Sequence, residues 1–230
     1  MCENCTWKTV ANRAAIVASK PKRLLIRSPP PLMENVRYIL AVISVILLPP
    51  ASLAWLIIHP WARQWRQLGP AGTWLIAGPF LMLIGAALYP VRRTLIGLDL
   101  GTNWILIAIA TVPYALSFYL HFKYRKHLTL LTLLGIPELS APEQSKGKLL
   151  REGIYAVVRH PRYLSAGFGL FGLTLVVNYE GIYILAVLLV PVGYALIQLE
   201  ERELIERFGK EYRDYQAAVP CFIPRFRKNA

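Results

Sequence analysis

Two polar runs in this chain carry the side chains suited to chemistry. The first is Gly153-Ile154-Tyr155-Ala156-Val157-Val158-Arg159-His160-Pro161-Arg162-Tyr163. It gathers two guanidinium groups, an imidazole and two phenol rings. Proline lacks a backbone N–H and suits the first position of a helix, so a helix is predicted to start near Pro161 with Arg159 and His160 in the turn before it. The free N–H groups of that helix start, with Arg159 and Arg162 beside them, make a ready anion site. Arg and Tyr also serve as ordinary anchors at a membrane interface, and spacing alone does not separate the two uses.

The second run is Glu200-Glu201-Arg202-Glu203-Leu204-Ile205-Glu206-Arg207-Phe208-Gly209-Lys210-Glu211-Tyr212. At about 100° per residue, Leu204, Ile205 and Phe208 share one face of a helix, and Glu201 falls near its middle. Glu203, Glu206 and Lys210 fall on the opposite, solvated side. Glu203–Arg207 and Glu206–Lys210 are spaced to support the helix by about 0.2–0.5 kcal/mol each. Glu201 is different in kind. A carboxylate among apolar neighbours at the edge of a hydrocarbon core needs a partner or a ligand. Gly209 is expected to end the helix.

The elements that must position these runs are membrane helices. The chain has 230 residues, 55% hydrophobic and 17% charged, with a mean hydropathy of +0.41. Soluble domains carry about 25% charged residues. The apolar residues come in blocks near the ~20 that a spanning helix needs. Those blocks run over 36–58, 72–89, 103–122, 163–178 and 181–199. The fold class is therefore all-α, a polytopic membrane protein of about five transmembrane helices. Residues 1–33 form a polar basic extension, 34–147 the first three spans and their loop, and 148–230 a core with spans four and five and the tail. Met33, directly before the first block, is the expected natural start. Pro49-Pro50, Pro79, Pro113 and Pro191 sit inside spans, and a kink is expected at Pro49-Pro50. Ser165, Gly167, Gly169 and Gly172 are small residues at a spacing that lets helices approach closely.

Charge sets the expected orientation. The formal net charge is +13, with Lys and Arg in the gaps between apolar blocks. That distribution fits basic loops against anionic lipid, and there is no soluble basic domain for nucleic acid. Asn178-Tyr179-Glu180 carries no Lys or Arg, whereas 123–162 and 200–230 are strongly charged and must share a side. The positive-inside rule makes that side cytoplasmic. Five spans then place the N-terminus outside, together with Arg92-Arg93, against the trend of the rule. Cys2 and Cys5 form a lone CxxC with no second pair to complete a zinc site, and Cys221 stands alone. His59, His121 and His127 read as interface residues without a metal role. Trp55, Trp61, Trp65, Trp74 and Trp104 read as an aromatic belt.

The order of the two runs resembles a known family. Gly153-Ile154-Tyr155, Arg159-His160-Pro161 and Tyr163 precede a helical hairpin. Glu200-Glu201, Leu204, Phe208-Gly209, Tyr212 and Tyr215 follow it, closing on Val219-Pro220 and Ile223-Pro224. This pattern, over residues 148–226, is similar to the isoprenylcysteine carboxyl methyltransferases. Phospholipid-amine methyltransferases share its Arg-His-Pro to Glu-Glu core. The resemblance implies a membrane methyltransferase using S-adenosyl-L-methionine, with a cofactor pocket on the cytoplasmic side. By position it implies that Tyr155, His160, Pro161, Arg162, Tyr163 and Glu201 line that pocket, that Lys148 and Leu150 touch the cofactor, and that Arg159 and Glu201 are catalytic. That family usually has His where Lys148 stands. Its eukaryotic members hold a prenylcysteine carboxylate with an arginine shortly before the paired glutamates, and Tyr194-Ala195-Leu196-Ile197-Gln198-Leu199 contains none. The implied acceptor is lipidic or a small apolar molecule entering from the bilayer, with no metal and no covalent nucleophile. A sterol-type reductase using a nicotinamide cofactor and a non-enzymatic membrane scaffold are the other readings the sequence leaves open.

Overall fold

A computed structural model describes residues 31–126 and 149–224. The N-terminal extension through residue 30, with Cys2 and Cys5, lies outside the described residues, as do His127 and Lys148. Seven α-helices and one 3₁₀ turn are described: α1 (Pro31–Ile58), α2 (Ala62–Leu88), α3 (Arg92–Ile96), α4 (Trp104–Arg125), the turn Gly153–Ala156, α5 (Pro161–Val177), α6 (Glu180–Phe208) and α7 (Lys210–Ala218). The described fold is all-α, and its one strand-like pairing is an isolated bridge between Asp99 and Tyr179.

Four stretches are long and apolar enough to cross a membrane: α1, Ala71–Leu88 within α2, α4 and α6. The fourth predicted span, α5, has only 17 residues. At 1.5 Å per residue it reaches about 25 Å, short of the ~30 Å hydrocarbon core. Helix α1 starts before its apolar block and runs unbroken through Pro49 and Pro50. The break in α2 comes earlier than its membrane stretch, at Gly69, whose φ of 69° is natural only for glycine. Thr73 closes that break by donating its hydroxyl to the Gly69 carbonyl at 2.8 Å.

Among the described helices, the most extensive pairing is α4 with α5. The Cβ absent from Gly169 would lie 3.1 Å from Ser117 Oγ, and that absent from Gly172 would lie 3.1 Å from the Tyr114 ring. Ser117 and Ser165 exchange hydroxyl-to-carbonyl hydrogen bonds at 2.8 and 2.9 Å. The small residues are thus a packing seam, with Gly167 facing open space.

One end of the helices is tied by a buried arginine that the sequence reading passed over. Arg37, 0% exposed, donates to the Val177 carbonyl at 3.0 Å, to Thr102 Oγ1 at 3.1 Å and to the Asn178 carbonyl at 3.3 Å, and pairs with Asp99. Its guanidinium also lies over the Tyr179 ring. Each polar atom buried here is engaged, which is what makes a charge tolerable at this depth. Asn178 caps α5 in the left-handed region at φ 51°. The turn into α6 is tight enough that any Cβ on Gly181 would meet the Leu95 carbonyl oxygen at 1.9 Å.

At the other end of α1, His59 Nδ1 lies 3.4 Å from Glu203 Oε2. Arg37 therefore marks one face and His59 the other. α1 starts on the face of the α5–α6 turn and ends on the face of the charged tail. Among the described residues, four long apolar helices and the shorter α5 make up the polytopic all-α fold that the sequence predicts. Glu203 is a correction: it is half-buried against α1 rather than on a solvated side. Gly209 ends α6 at φ 60°, so Lys210 opens α7 and leaves the helical register of Glu206.

Candidate active site

Gly153, Val158 and Pro161 shape the segment that leads into α5 on the face opposite the Arg37 knot. Gly153, at φ 62°, starts a 3₁₀ turn that carries Tyr155. Val158, 2% exposed, plugs the segment into the interior. Pro161 then opens α5 at its first position, as expected. This leaves Arg159 and His160 in non-helical backbone, with N–H groups free to pair elsewhere. They pair with the tail: Arg159 N–H donates to the Pro220 carbonyl at 2.9 Å and His160 N–H to the Cys221 carbonyl at 3.3 Å. The tail is brought there by the Gly209 break, which turns α7 back so that Tyr212 and Tyr215 pack with Leu149 on Leu204, Ile205, Phe208 and Val219. The apolar face read from the sequence is the face that is buried.

Glu201 is the hub of this arrangement. Its side chain is 8% exposed. Oε1 accepts from Arg159 Nε and Nη2, both at 2.9 Å, and lies 3.0 Å from His160 Nε2 and 3.5 Å from the Tyr212 hydroxyl. Oε2 accepts from Gln216 Nε2 at 2.8 Å. Arg159 in turn uses Nη1 to donate to the Gln216 and Val219 carbonyls. Every strong donor of the guanidinium and both oxygens of the carboxylate thus meet protein groups. The pair is closed on itself and bolts the tail across the 153–160 segment. Tyr215 adds a hydrogen bond to the Tyr155 carbonyl at 2.7 Å, and burial pushes its phenol up to about 12.

The adjacent Glu200 points elsewhere. Arg162 Nη2 donates to Glu200 Oε2 at 3.3 Å, and the two side chains are 32% and 25% exposed. Arg162 lies over the Tyr163 ring, and the Tyr163 hydroxyl faces both charges. Tyr155 lies near the same two groups. The paired glutamates therefore divide into a closed cluster and an accessible one. The accessible cluster holds a carboxylate, a guanidinium and two aromatic rings. Pro161 is buried at the junction of the two, His160 packs edge-on to Tyr163, and Leu150 is half-buried beside Leu149.

Cys221 comes within 4.8 Å of the ligand atoms of His160 and Glu201. Burial pushes its thiol up, against a smaller lowering by Arg159, so it stays a protonated thiol. With the Arg159 guanidinium already on Glu201, the positive charge a metal would bring is supplied. The trio reads as part of the bolt.

Sequence reasoning missed Gln216 and left Tyr212 without a site role. Extrapolating the α6 phase past Gly209 misplaces both, because the glycine resets the helix direction. His121 bonds the Tyr124 hydroxyl at 2.8 Å and Trp61 and Trp104 are exposed near opposite faces, in keeping with interface roles.

Residues 107–211 match the family model of phospholipid methyltransferases. The matched stretch begins within α4, well before the region that carried the resemblance. Its inclusion of α4 agrees with the tight α4–α5 seam. The chain is 31% identical over 176 residues to methanethiol S-methyltransferase 1 of Bradyrhizobium diazoefficiens, an overlap of 76% of this chain and 52% of that protein. It is 35% identical over 88 residues to the methanethiol S-methyltransferase of Pseudomonas deceptionensis, covering 33% of this chain and 28% of that protein. The chain spans about half the length of the first of these relatives. No solved structure matches it significantly. These relatives are named as methyltransferases, and nothing among them favours the reductase reading.

Proposed function

We propose that this chain, whose residues 107–211 match the family model of phospholipid methyltransferases, is a membrane methyltransferase that uses S-adenosyl-L-methionine to methylate a small apolar thiol. The observation that carries this reading is the division of the paired glutamates. Glu201 is closed by Arg159, His160, Gln216 and Tyr212, while Glu200, Arg162, Tyr155 and Tyr163 remain an accessible donor and acceptor set.

That set fits the proposed cofactor by its chemistry. Aromatic faces suit a sulfonium cation. A carboxylate suits an amine or ribose hydroxyls, and a guanidinium suits a carboxylate. When bound, the cofactor supplies an electrophilic methyl group. Tyr155, Arg162, Tyr163 and Glu200 would hold it, with Pro161 and Leu150 as wall and Lys148 as a further expected contact. Arg159, His160 and Glu201 are positioning residues in this reading. They fix the 153–160 segment against the tail and keep water from the reacting centre. Methyl transfer is an in-line displacement, and alignment and a dry site supply most of what it requires.

A thiol acceptor is favoured by the names of the relatives and by the residues before the glutamates. Tyr194–Leu199 offers no cation for a prenylcysteine carboxylate. A phospholipid amine is the second reading, favoured by the family-model match. The orientation follows the charge: the site and tail on the cytoplasmic side, the α5–α6 turn outside.

The test uses the detergent-purified chain with the methyl donor and, in separate reactions, methanethiol and phosphatidylethanolamine. Dimethyl sulfide from methanethiol is expected, together with binding of S-adenosylhomocysteine by calorimetry. Methylation of the lipid amine alone would replace the thiol reading with the second one. A folded protein that binds no nucleoside cofactor would remove the methyltransferase proposal.

A further inference from the structure

The face opposite the site carries charge that the proposed reaction does not use. Arg92 and Arg93 open α3, the five-residue helix after α2. Among the described residues neither forms an ion pair. Arg92 donates to the Tyr89 carbonyl at 2.8 Å and stacks its guanidinium over the Tyr89 ring at 4.0 Å. The phenol of Tyr38, on α1, faces both arginines. Two guanidinium groups from α3 and a hydroxyl from α1 thus converge without a counter-charge among the described residues.

The nearby acids are turned away. Asp99 is held by Arg37 and by the Gly101 N–H. Glu180 sits against the backbone of Leu98 and Gly97. Glu34, exposed one turn before Tyr38, pairs with neither arginine. Around the cluster Val91, Leu95, Leu98 and Leu100 expose apolar side chains. A short helix with paired arginines and exposed leucines, set between the ends of two spanning helices, has both a place for phosphate and a place for acyl chains.

We infer that Arg92, Arg93 and Tyr38 form a binding site for the phosphate of an anionic phospholipid in the leaflet opposite the methyltransferase site. The guanidinium fork matches phosphate oxygens, and stacking on Tyr89 pre-orders one fork. The charge pattern gives an independent reason. Arg92-Arg93 lies on the face that the positive-inside rule leaves poor in cations, and a lipid phosphate supplies there the counter-charge that the described residues do not. The exposed leucines commit the site to a lipid rather than to free phosphate. The inference stands whether or not the methyl acceptor is a thiol.

The experiment is native mass spectrometry of the full chain released from detergent containing equal phosphatidylglycerol and phosphatidylcholine. The wild type is expected to retain phosphatidylglycerol preferentially. Each arginine near a membrane surface contributes about fivefold in anionic-lipid affinity, so R92Q/R93Q should lose most of the preference. K210Q/R213Q, which removes the same charge on the other face, should keep it. Y38F should weaken it less than either arginine change. The single variants R92Q and R93Q alter exposed or half-exposed side chains without ion pairs, and they carry the test if the double variant does not fold. Equal retention of both lipids by the wild type overturns the site. So does equal loss in R92Q/R93Q and K210Q/R213Q, which would mean net charge alone. Displacement of the lipid by inorganic phosphate at low concentration would overturn its assignment as a lipid site.

Discussion

At the residue scale, two neighbouring carboxylates differ because their partners differ. Glu201 is buried and closed by a guanidinium, an imidazole and an amide. Removing either partner of a buried ion pair leaves an uncompensated charge, which costs about 3–5 kcal/mol. Arg159→Ala and Glu201→Ala should each lower the thermal midpoint strongly. The double variant should lose less than the sum, because each single change already breaks the same bond. Equal and additive losses in detergent melts would mean the two residues act separately. Glu200→Gln tests the other half of the division. Its pair with Arg162 is partly exposed and adds little stability, so the melt should stay close to wild type. S-adenosylhomocysteine affinity should fall by about tenfold or more, the loss of one charge-assisted hydrogen bond. A Glu200→Gln protein that binds like wild type would take Glu200 out of the pocket.

At the element scale, the seam between α4 and α5 holds the start of α5, and so Arg162 and Tyr163, in place. Gly172 faces the Tyr114 ring at 3.1 Å, whereas Gly167 faces nothing within 4 Å. Gly172→Val should therefore destabilise by about 1–3 kcal/mol through overpacking, and Gly167→Ala should leave stability nearly unchanged. The two glycines are indistinguishable as sequence: both lie in the same small-residue run. Which one touches α4 depends on the rotation of α5 about its axis, and that is fixed by Ser117 and Ser165 in a partner helix 48 residues away.

At the scale of the whole molecule, Arg37 and the α5–α6 turn lie on one face of the described helices and His59, Glu203 and the site on the other. In a variant with Cys2, Cys5 and Cys221 changed to Ser, a cysteine placed at Leu100 should be labelled by an impermeant thiol reagent only from the non-cytoplasmic side. A cysteine at Arg202 should be labelled only from the cytoplasmic side. The reverse pattern would invert the proposed orientation while leaving the fold intact. Arg37→Met should loosen the far face, since Asp99 and the carbonyls of Val177 and Asn178 would lose their shared donor. Increased cleavage near the α5–α6 turn by an added protease would report it.

The sequence by itself determined the class of the molecule. Apolar block length dictates spanning helices, because blocks near 20 residues fit a helix that satisfies its own backbone in the bilayer, whereas barrel strands are about half as long. Pro161 and Gly209 mark helix ends for local steric reasons, and both marks match the structure. The burial of Glu201 was also legible, since a carboxylate in an apolar stripe has to be enclosed. Tertiary structure alone decided what encloses it. Gln216 reaches Glu201 only because the chain reverses at Gly209, and Arg37 finds Asp99, Val177 and Asn178 across 62 to 141 residues. Periodicity reports which face of a helix is buried, but not which distant group lies against it. That choice belongs to the packing of helices, where close contact and the need to pair every buried charge select one arrangement.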